Sequence, residues 1–327
     1  MVAGNSMGYV PPFTVSSRSV TLVAEIVESL SSISKSWRVN SQLCRINRLR
    51  TIHSSLAIEG NSLSIDEVTD VIDGKRVLGN PREIQEVKNA FAAYEMMDEL
   101  DPFDADSLLK AHHTMMGGIL DDAGQFRKVG VGVYSGTKLI HMAPPYDRVP
   151  GLVSELMEWA RSSDDHPLIK SCVFHYEFEF IHPFSDGNGR TGRLWHTLIL
   201  SKWNDIMSSI PIETMVRKHQ QEYYDAIANS TSDGDSGVFL ELMLSLILEA
   251  INTMAFANHI NDIENINKTE RRILFLILDG EFTTALEISL LLGVTKRTIE
   301  RSISSLKAKG YIYREGSDKK GSWKLSV

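Results

Sequence analysis

Residues 182–193 read HPFSDGNGRTGR and directly follow the apolar run YEFEFI. The tripeptide at 187–189, Gly-Asn-Gly, stands between two segments of helical periodicity, where consecutive backbone N–H groups can point at one ligand. The helix that begins here directs the positive end of its dipole to the same place. Arg190 and Arg193 are three residues apart on that helix and offer bidentate donors. The segment therefore predicts a site for phosphate groups.

Two further residues of this segment suit the transfer of a phosphate-linked group. Asp186 would repel a bare phosphate, but it is a suitable ligand for a Mg²⁺ ion that bridges phosphate oxygens. His182 ends the preceding helix, and an imidazole there can take a proton from an attacking hydroxyl. Together these groups predict phosphoryl or nucleotidyl transfer, in which positioning and charge neutralisation provide most of the catalysis. The chain lacks GxxxxGK[ST], which disfavours a P-loop NTPase.

The same twelve residues match the signature HxFx(D/E)GNGRxxR at every fixed position, and residues 50–230 resemble a Fic-family adenylyltransferase. Members of that family transfer AMP from ATP to a hydroxyl side chain of a target protein. The resemblance implies that His182 is the general base, that Phe184 fixes the loop through apolar contacts, and that Asp186 binds Mg²⁺. It places nucleotide and phosphate contacts at Gly187, Asn188, Gly189, Arg190, Thr191, Gly192 and Arg193.

Two other segments extend the resemblance. GQFRKVGVGV and the hairpin that ends in APP are similar to the family's target-docking flap. The docking residues that this implies are Ile140, His141, Met142 and Ala143. EYYDAI (222–227) is similar to a helix that borders the nucleotide, so that Tyr223 and Tyr224 are candidates for the nucleotide pocket.

A second motif precedes the loop. SSLAIEGN (54–61) places Glu59 in the last turn of a predicted helix, where a carboxylate meets the negative end of the dipole and is better placed with a cationic partner. Ser55 shares its helix face. The segment resembles the inhibitory motif (S/T)xxxE(G/N) of Fic proteins. The resemblance implies that Glu59 pairs with Arg193 and prevents productive binding of the ATP γ-phosphate.

Other histidines are weaker candidates. His112 and His113 lie in KAHHTMM, but no HExxH or matching carboxylate pattern accompanies them, which favours packing or surface roles over a metal site. His175, seven residues before His182, is a candidate both to support the active site and to make a packed polar contact.

Helices must position these residues, and helical periodicity dominates the chain from about Ser17. Ser64 and Glu67 have the spacing of a capping box. Residues 129–140 alternate in polarity around Ser135-Gly136, which predicts a short hairpin. We therefore predict a mainly α fold, which the resemblance identifies as a Fic-type helical bundle with a flap at 129–143. Residues 1–100 would form a helical region with the inhibitory motif, and residues 101–260 the catalytic core.

Residues 261–327 have a different character. From Lys268 to the end there are 12 Lys/Arg against 7 Asp/Glu, although the whole chain has a formal net charge of −8. Three helical segments and a closing hairpin resemble a winged helix-turn-helix domain, with Thr284 and Glu287 as a capping box. The exposed basic residues predicted on the third helix are Lys296, Arg297 and Arg301. They are candidates for contact with nucleic acid, although such domains also bind proteins and this net charge of +5 is modest for DNA.

The composition and the two cysteines indicate the cellular compartment in which the protein is expected. Hydrophobic residues make up 43% and charged residues 23%, as in ordinary globular proteins. Cys44 and Cys172 stand in unrelated contexts, which favours a reducing environment. The sequence before Arg18 has no Lys or Arg and no apolar run of a signal peptide. The apolar stretch 242–251 predicts a bundle core rather than a membrane contact. We expect a cytoplasmic protein without a membrane partner.

The partners that follow are ATP and an unidentified target protein. Self-association is a further candidate, since members of the family often use it to set the inhibition. Two alternatives stay open beside the self-inhibited adenylyltransferase. One is removal of AMP from a modified protein, with Glu59 positioning water. The other is a DNA-binding regulator that uses the Fic pocket as a nucleotide sensor.

Overall fold

The computed structural model of the chain describes residues 9–36, 41–135, 138–280, 284–317 and 321–326, and of residues 34–36, 41–43, 133–135, 138–141 and 279 it describes the backbone. The chain divides into two compact units, Met1–Ala250 and Ile251–Val327. The division falls inside a helix, ahead of the boundary that we predicted at 260/261. Residues 1–100 belong to the first unit and are not a compact unit of their own.

The first unit is mainly helical, as predicted. Its helices are α1 (Ser17–Ser36), α2 (Ser41–Ile58), α3 (Ile65–Ile72), α4 (Pro81–Glu95), α5 (Ala105–Met116), α6 (Val149–Ser162), α7 (Pro167–Ile181), α8 (Asn188–Trp203), α9 (Ile212–Lys218), α10 (Gln220–Asp233) and α11 (Gly237–Asp262), the last of which continues into the second unit. Short 3₁₀ helices lie at Met97–Glu99, Tyr146–Arg148 and Asp205–Ser209.

The pair formed by α7 and α8 lies at the centre of this unit. The two helices pack along each other, and most side chains of both are buried on every side. A helix that buries all of its faces belongs to the core rather than to an amphipathic surface. Phe174 and Phe178 of α7 and Trp195 of α8 are fully enclosed. The loop at 182–187 therefore connects two rigid elements, which suits residues that must hold a fixed geometry.

Local sequence sets the helix ends around this core. The predicted capping box at Ser64 and Glu67 is confirmed at the start of α3. Pro167 occupies the first turn of α7, where its missing N–H costs no hydrogen bond. Gly60 follows α2 with φ of +89°, a conformation that glycine adopts without strain.

A β-hairpin interrupts the helices, as predicted for 129–140. Strands β1 (Gly132–Ser135) and β2 (Lys138–Met142) pair antiparallel, with an irregularity in register between Val133 and Tyr134. Gly136, which we predicted in the turn, lies outside the described residues. So do the side chains of Ile140 and His141, while Met142 is exposed and Ala143 half-buried.

The second unit contains α12 (Lys268–Asp279), α13 (Ala285–Leu292), α14 (Lys296–Ala308) and the antiparallel strands β3 (Ile312–Glu315) and β4 (Ser322–Leu325). Its core includes Ile273, Ile288 and Ile299, one from each helix. The predicted capping box at Thr284 and Glu287 is confirmed. Three helices followed by a hairpin are the order of elements that the sequence predicted for this region.

Helix α11 is long and apolar enough to cross a membrane by length and composition alone, and half of its most apolar window is buried inside the protein. A core helix passes the same test. Within the first unit, Met243, Leu244 and Ile247 are buried in the core, which is the packing that we predicted for 242–251.

Candidate active site

The loop between α7 and α8 carries the predicted base. His182 follows the last residue of α7 with φ of 51°, the one positive φ among non-glycine residues of the described ranges. Its side chain is 21% exposed. Its Nδ1 lies 3.3 Å from the carbonyl oxygen of Glu179. Because a carbonyl oxygen only accepts, Nδ1 is the donor in this contact, and Nε2 is the basic nitrogen of the neutral ring.

Asn188 and Phe184 close the loop between them. The Asn188 Oδ1 accepts a hydrogen bond from the Phe184 N–H at 2.9 Å, and the Asn188 Nδ2 donates to the Phe184 carbonyl, also at 2.9 Å. The Phe184 side chain is fully buried and stacks on His112 with ring centroids 3.6 Å apart. The Asn188 side chain therefore shapes the loop, and any phosphate contact of this residue must come from its backbone.

His112 supports the same loop from α5. Its Nδ1 accepts a hydrogen bond from the Gly124 N–H at 2.9 Å, so the hydrogen sits on Nε2, which lies 3.0 Å from the Asp186 carbonyl. Burial lowers the pKa of His112 to about 4, which keeps the ring neutral. The residue thus has the packing role that the sequence favoured, whereas its neighbour His113 is exposed.

The first turn of α8 is the candidate anion site. Its leading N–H groups have no acceptor within the helix. Gly187 precedes them with φ of +80°, and a Cβ there would lie 2.6 Å from the Met116 sulfur. Gly192 faces α7 instead, because a Cβ there would lie 2.9 Å from the Glu179 Oε1. Thr191 is fully buried. The structure therefore corrects the implied phosphate contacts of Thr191 and Gly192, which belong to the packed side of the helix.

Asp186 lies beside this turn within a network of charges. Its Oδ1 accepts hydrogen bonds from the Gly187 N–H at 2.6 Å and from the Arg190 Nη2 at 3.2 Å. Its Oδ2 lies 3.4 Å from Arg82, an exposed residue of α4. Arg190 also donates to Glu86 at 3.2 Å. Because Asp186 is 43% exposed, it can exchange the exposed Arg82 for another cation.

A magnesium site made of protein ligands alone is absent from the described residues, which contain no group of three or more His, Cys, Asp or Glu that could hold a metal. Mg²⁺ commonly takes one or two carboxylates from a protein and the remaining oxygens from substrate phosphates and water. A single, partly exposed carboxylate next to an anion site fits that donor set. Asp186 is therefore suited to a magnesium ion that arrives with a nucleotide.

Arg193 and Glu59 form an ion pair across 134 positions of the sequence. The Arg193 Nη2 donates to the Glu59 Oε1 at 2.7 Å and to the Ser55 carbonyl at 3.0 Å, and its Nε donates to the Ser55 hydroxyl at 3.1 Å. The Arg193 side chain is 3% exposed and that of Glu59 is 33% exposed. All three residues of the predicted inhibitory contact are thus in one place.

The Glu59 carboxylate also fills the space over the anion site. A Cβ on Gly189 would collide with the Glu59 Oε1 and would lie 2.9 Å from the Arg193 Nη1. A carboxylate is an anion, so it gains from the same helix dipole and the same guanidinium that would bind a phosphate. An anionic ligand and Glu59 must therefore compete for this position.

Burial and charge shift the pKa values of the groups around Arg193. Burial by itself lowers the pKa of Arg193, but the Glu59 charge outweighs it, and the net pKa lies above its usual range. Burial raises the pKa of Glu179 to about 7, while the Arg193 charge acts in the opposite direction. Arg193 and Glu179 are both buried, so charge at the site is confined to a poorly solvated volume.

The two candidate tyrosines are placed differently. Tyr223 is 2% exposed, and its hydroxyl lies 3.1 Å from the His175 Nε2. It therefore belongs to the core rather than to the nucleotide pocket, and His175 makes a packed polar contact. Tyr224 is half-buried, and burial and the Glu59 charge raise its pKa, which places it near Glu59.

Arg127 connects the hairpin to the loop. Its guanidinium donates to the carbonyls of His182 at 2.8 Å, Val129 at 2.9 Å and Pro144 at 2.5 Å. Val129 precedes β1 and Pro144 follows β2, so one side chain ties both ends of the hairpin to the residue predicted as the base. Arg127 is 2% exposed. The structure thus fixes the base of the hairpin against the active-site loop.

Several residues that the structure brings to the site were not predicted from the sequence. They are Arg82, Glu86, Arg127 and Glu179. A charged residue inside an apolar or β-rich segment is the available signal for Arg127 in GQFRKVGVGV and for Glu179 in YEFEFI. Arg82 and Glu86 give no such signal, because an exposed helix carries similar residues.

In the second unit, the predicted basic residues lie on α14. Lys296, Arg297 and Arg301 are all exposed, and Lys296 forms an ion pair with Glu300 at 3.4 Å. The structure brings these residues to one helix that follows a helix-turn-helix connection, with Gly293 at φ of +65° ending α13.

Comparison with known proteins agrees with these features. Residues 102–200 match the Fic/DOC family, and residues 266–313 match a winged helix-turn-helix DNA-binding family. The protein adenylyltransferase Fic of Culex quinquefasciatus is 26% identical over 206 residues, which are 60% of this chain and 39% of that protein. A probable protein adenylyltransferase of Aquifex aeolicus is 34% identical over 151 residues, 45% of each chain. The chain thus matches less than half the length of these curated relatives.

Solved structures extend the comparison to the whole chain. Fic-1 (residues 134–508) of Caenorhabditis elegans has 21% identity and a TM-score of 0.57, over 75% of this chain and 73% of that one, which shows a common fold. The crystal structure of a Fic family protein from Desulfovibrio desulfuricans G20 has 41% identity and a TM-score of 0.75, over 97% of this chain and 98% of that one. With this identity over nearly the full length of both, the chain belongs to the Fic family.

Proposed function

We propose that the chain is a self-inhibited protein adenylyltransferase, which transfers AMP from ATP to a Ser, Thr or Tyr hydroxyl of a target protein and of itself. The observation that carries the proposal is the loop geometry, since His182, the first turn of α8 and Arg190 lie within one short segment between two core helices. Relatives named protein adenylyltransferase in Culex quinquefasciatus and Aquifex aeolicus support the same reaction.

The reaction follows from the chemistry of these groups. The target hydroxyl oxygen attacks the α-phosphorus of ATP, while the His182 Nε2 takes the hydroxyl proton. The bond from the α-phosphorus to the bridging oxygen breaks, and pyrophosphate leaves with that electron pair. The N–H groups of the first turn of α8 and the Arg190 guanidinium stabilise the negative charge that accumulates on the phosphate oxygens.

Asp186 would hold Mg²⁺ when the nucleotide binds, and the ion would neutralise phosphate charge. The role of this chain is to keep that carboxylate in place. The Gly187 N–H and the Arg190 guanidinium orient it through its Oδ1.

Glu59 supplies the inhibition in this proposal. Its carboxylate occupies Arg193 and the space beside Gly189, so ATP can bind there with its γ-phosphate displaced or not at all. Because Arg193 is buried, it needs one anionic partner at any time, and the γ-phosphate can replace Glu59 only when the glutamate moves away.

Mass spectrometry tests the proposed reaction. After incubation of the protein with ATP and Mg²⁺, we expect a fraction of molecules to gain the mass of one AMP, and tandem spectra to place it on a hydroxyl side chain. A matched incubation with Asp186→Asn, which keeps the size of the residue but removes its charge, should reduce the labelled fraction. A protein that gains no AMP and instead removes it from a modified sample would contradict the forward direction.

Features of the second unit favour DNA as an additional partner. We propose that α14 contacts DNA phosphates through Arg297 and Arg301, supported by their exposure and by the match to a winged helix-turn-helix DNA-binding family. A gel shift with duplex DNA should weaken as salt rises, and Arg297→Ala should weaken it further by roughly 10-fold. Lys268→Ala, which lies at the start of α12, serves as a charge-matched control. Binding that does not respond to salt would contradict the proposal.

A further inference from the structure

Glu179 is a buried acid that neither the loop nor the inhibitory contact uses. It lies on the face of α7 that also carries His175 and His182, at spacings of four and three residues. Its Oε1 lies 3.9 Å from the His175 Nε2, and its Oε2 lies 3.9 Å from the His182 Nδ1. The carboxyl group therefore sits between a core histidine and the proposed base.

The surroundings of this carboxyl group are enclosed. Glu179 is 6% exposed, and its fully buried Oε1 has no hydrogen-bond partner among the residues that the structure describes. Gly192 of α8 lies directly against it. A carboxylate in such a place is normally satisfied by several donors. An unsatisfied buried oxygen indicates a functional constraint or a site of strain rather than a contribution to stability.

Charged and titratable groups reach Glu179 from each neighbouring helix. Arg193 faces it from α8, Glu59 from the end of α2 and Tyr223 from α10, in addition to the two histidines on α7. His175 stays neutral because burial and the charges of His196 and Arg193 lower its pKa well below the usual range. Tyr223 also stays neutral, since burial raises its pKa. Among the histidines on this face of α7, His182 is therefore the one available to gain a positive charge beside Glu179.

The hydrogen bond at the His182 Nδ1 indicates how the Glu179 carboxyl group can affect the proposed base. Nδ1 donates towards the Glu179 backbone carbonyl, so a proton that His182 receives must go to Nε2. The ring then becomes an imidazolium, whose charge faces the Glu179 Oε2. In the neutral ring this contact is weak, and it strengthens as the proton is transferred, which is the condition for an effect on the rate.

We propose that Glu179 is a positioning residue for His182: its backbone carbonyl fixes the tautomer, and its ionised carboxylate stabilises the imidazolium that forms during transfer. The proposal rests on the proposed function, since it takes His182 as the base. Burial raises the pKa of Glu179 to about 7. The carboxyl group is neutral below that pH and ionised above it, so its effect on His182 should grow as the pH rises through about 7.

The chain offers a matched control on the same helix. Glu177 lies two residues away on the other side of α7, is 4% exposed, and burial raises its pKa to about 7 as well. Its carboxylate accepts a hydrogen bond from the Tyr9 hydroxyl at 2.9 Å rather than facing His182. Glu177→Gln therefore reproduces the loss of a buried charge without altering the surroundings of the proposed base.

The decisive measurement is the NMR titration of the His182 ring in protein with labelled histidine. In Glu179→Gln we expect its midpoint to fall by about one pH unit relative to the wild type. We also expect kcat for AMP transfer to fall roughly 10-fold with an unchanged KM for ATP. Glu177→Gln should alter none of these. An identical His182 titration in both variants and the wild type would overturn the proposal.

The ring titration separates this proposal from the proposed function, because it requires no AMP transfer. A wild type that transfers no AMP contradicts the function alone, whereas an unmoved midpoint contradicts the role of Glu179 alone. If Glu179→Gln does not fold, the titration of the wild-type protein still tests the role of Glu179. Its His182 titration should show a second step as Glu179 ionises, and a single simple step would overturn the proposal.

Discussion

Glu59→Gly is expected to raise the rate of AMP transfer by roughly 10- to 100-fold. The physical reason is the competition at Arg193, whose Nη2 donates to the Glu59 Oε1 at 2.7 Å. Glycine removes both the carboxylate on the guanidinium and the atoms that fill the space beside Gly189. The freed site can then take the γ-phosphate with the α-phosphate in reach of His182. Transfer of label from ATP to the protein measures the change.

Two other variants sharpen this experiment. Glu59→Gln keeps the size of the side chain but removes its charge, so an intermediate rate would separate the electrostatic contribution from the steric one. Glu95→Gly is the matched control, because Glu95 ends α4 and pairs with an arginine, Arg48, outside the site. The control should not change transfer. Equal labelling in the wild type and Glu59→Gly would contradict inhibition by Glu59.

Binding of ATP gives a second measure of the effect of removing Glu59 from Arg193. Without Glu59, the buried guanidinium of Arg193 lacks its carboxylate partner, which destabilises the folded protein. ATP supplies a new anionic partner and binds the native state alone. We therefore expect ATP to raise the Tm of Glu59→Gly more than that of the wild type, because at the same ATP concentration tighter binding stabilises the native state more.

The part of the site that could be read from the sequence is contiguous. His182, Asp186, Arg190 and the glycine of the tight turn lie within a few residues, so helix periodicity and turn chemistry place them together. The ion pair between Glu59 and Arg193 spans 134 positions. Helix rules predicted only that Glu59 needs a cation, and the resemblance to a family supplied which one.

What the sequence could not show depends on packing between helices. Thr191 and Gly192 are adjacent to phosphate-binding residues in the chain, yet a helix turns by about 100° per residue, and α7 covers the face on which Gly192 lies. Tyr223 and Tyr224 are neighbours and were both candidates for the nucleotide pocket, but the Tyr223 hydroxyl reaches His175 in the core. His112 has the packing role that the sequence favoured, but the sequence could not show that the Gly124 N–H and the Asp186 carbonyl lie at its two ring nitrogens.

The attachment of the hairpin to the rest of the fold likewise could not be predicted from the sequence. Alternating polarity and a Ser-Gly turn predicted both strands correctly from local sequence alone. The residue that attaches the hairpin to the loop, Arg127, is long and charged, which local rules assign to the surface. Its burial is stable because backbone carbonyls from three segments accept its hydrogen bonds, and those segments meet only after the chain has folded.

His182→Ala is expected to lower AMP transfer by roughly 10²- to 10⁴-fold, the usual contribution of a general base. Binding of ATP should be retained, because the first turn of α8, Arg190 and Arg193 provide the phosphate contacts in the proposal, and His182 lies on the side of the attacking hydroxyl. The experiment is best made in the Glu59→Gly background, where ATP has access to Arg193. Calorimetric titration measures the affinity and transfer of label measures the rate.

The backbone at this position requires its own control. His182 has φ of 51°, a conformation that costs alanine free energy but that asparagine adopts readily. His182→Asn should therefore lose as much transfer as His182→Ala while it keeps the loop geometry, since its amide is not basic. His113→Ala, an exposed histidine on α5, should leave transfer unchanged. Full transfer by His182→Asn with normal ATP binding would exclude His182 as the base, because the loop would then be intact and the imidazole alone would be missing.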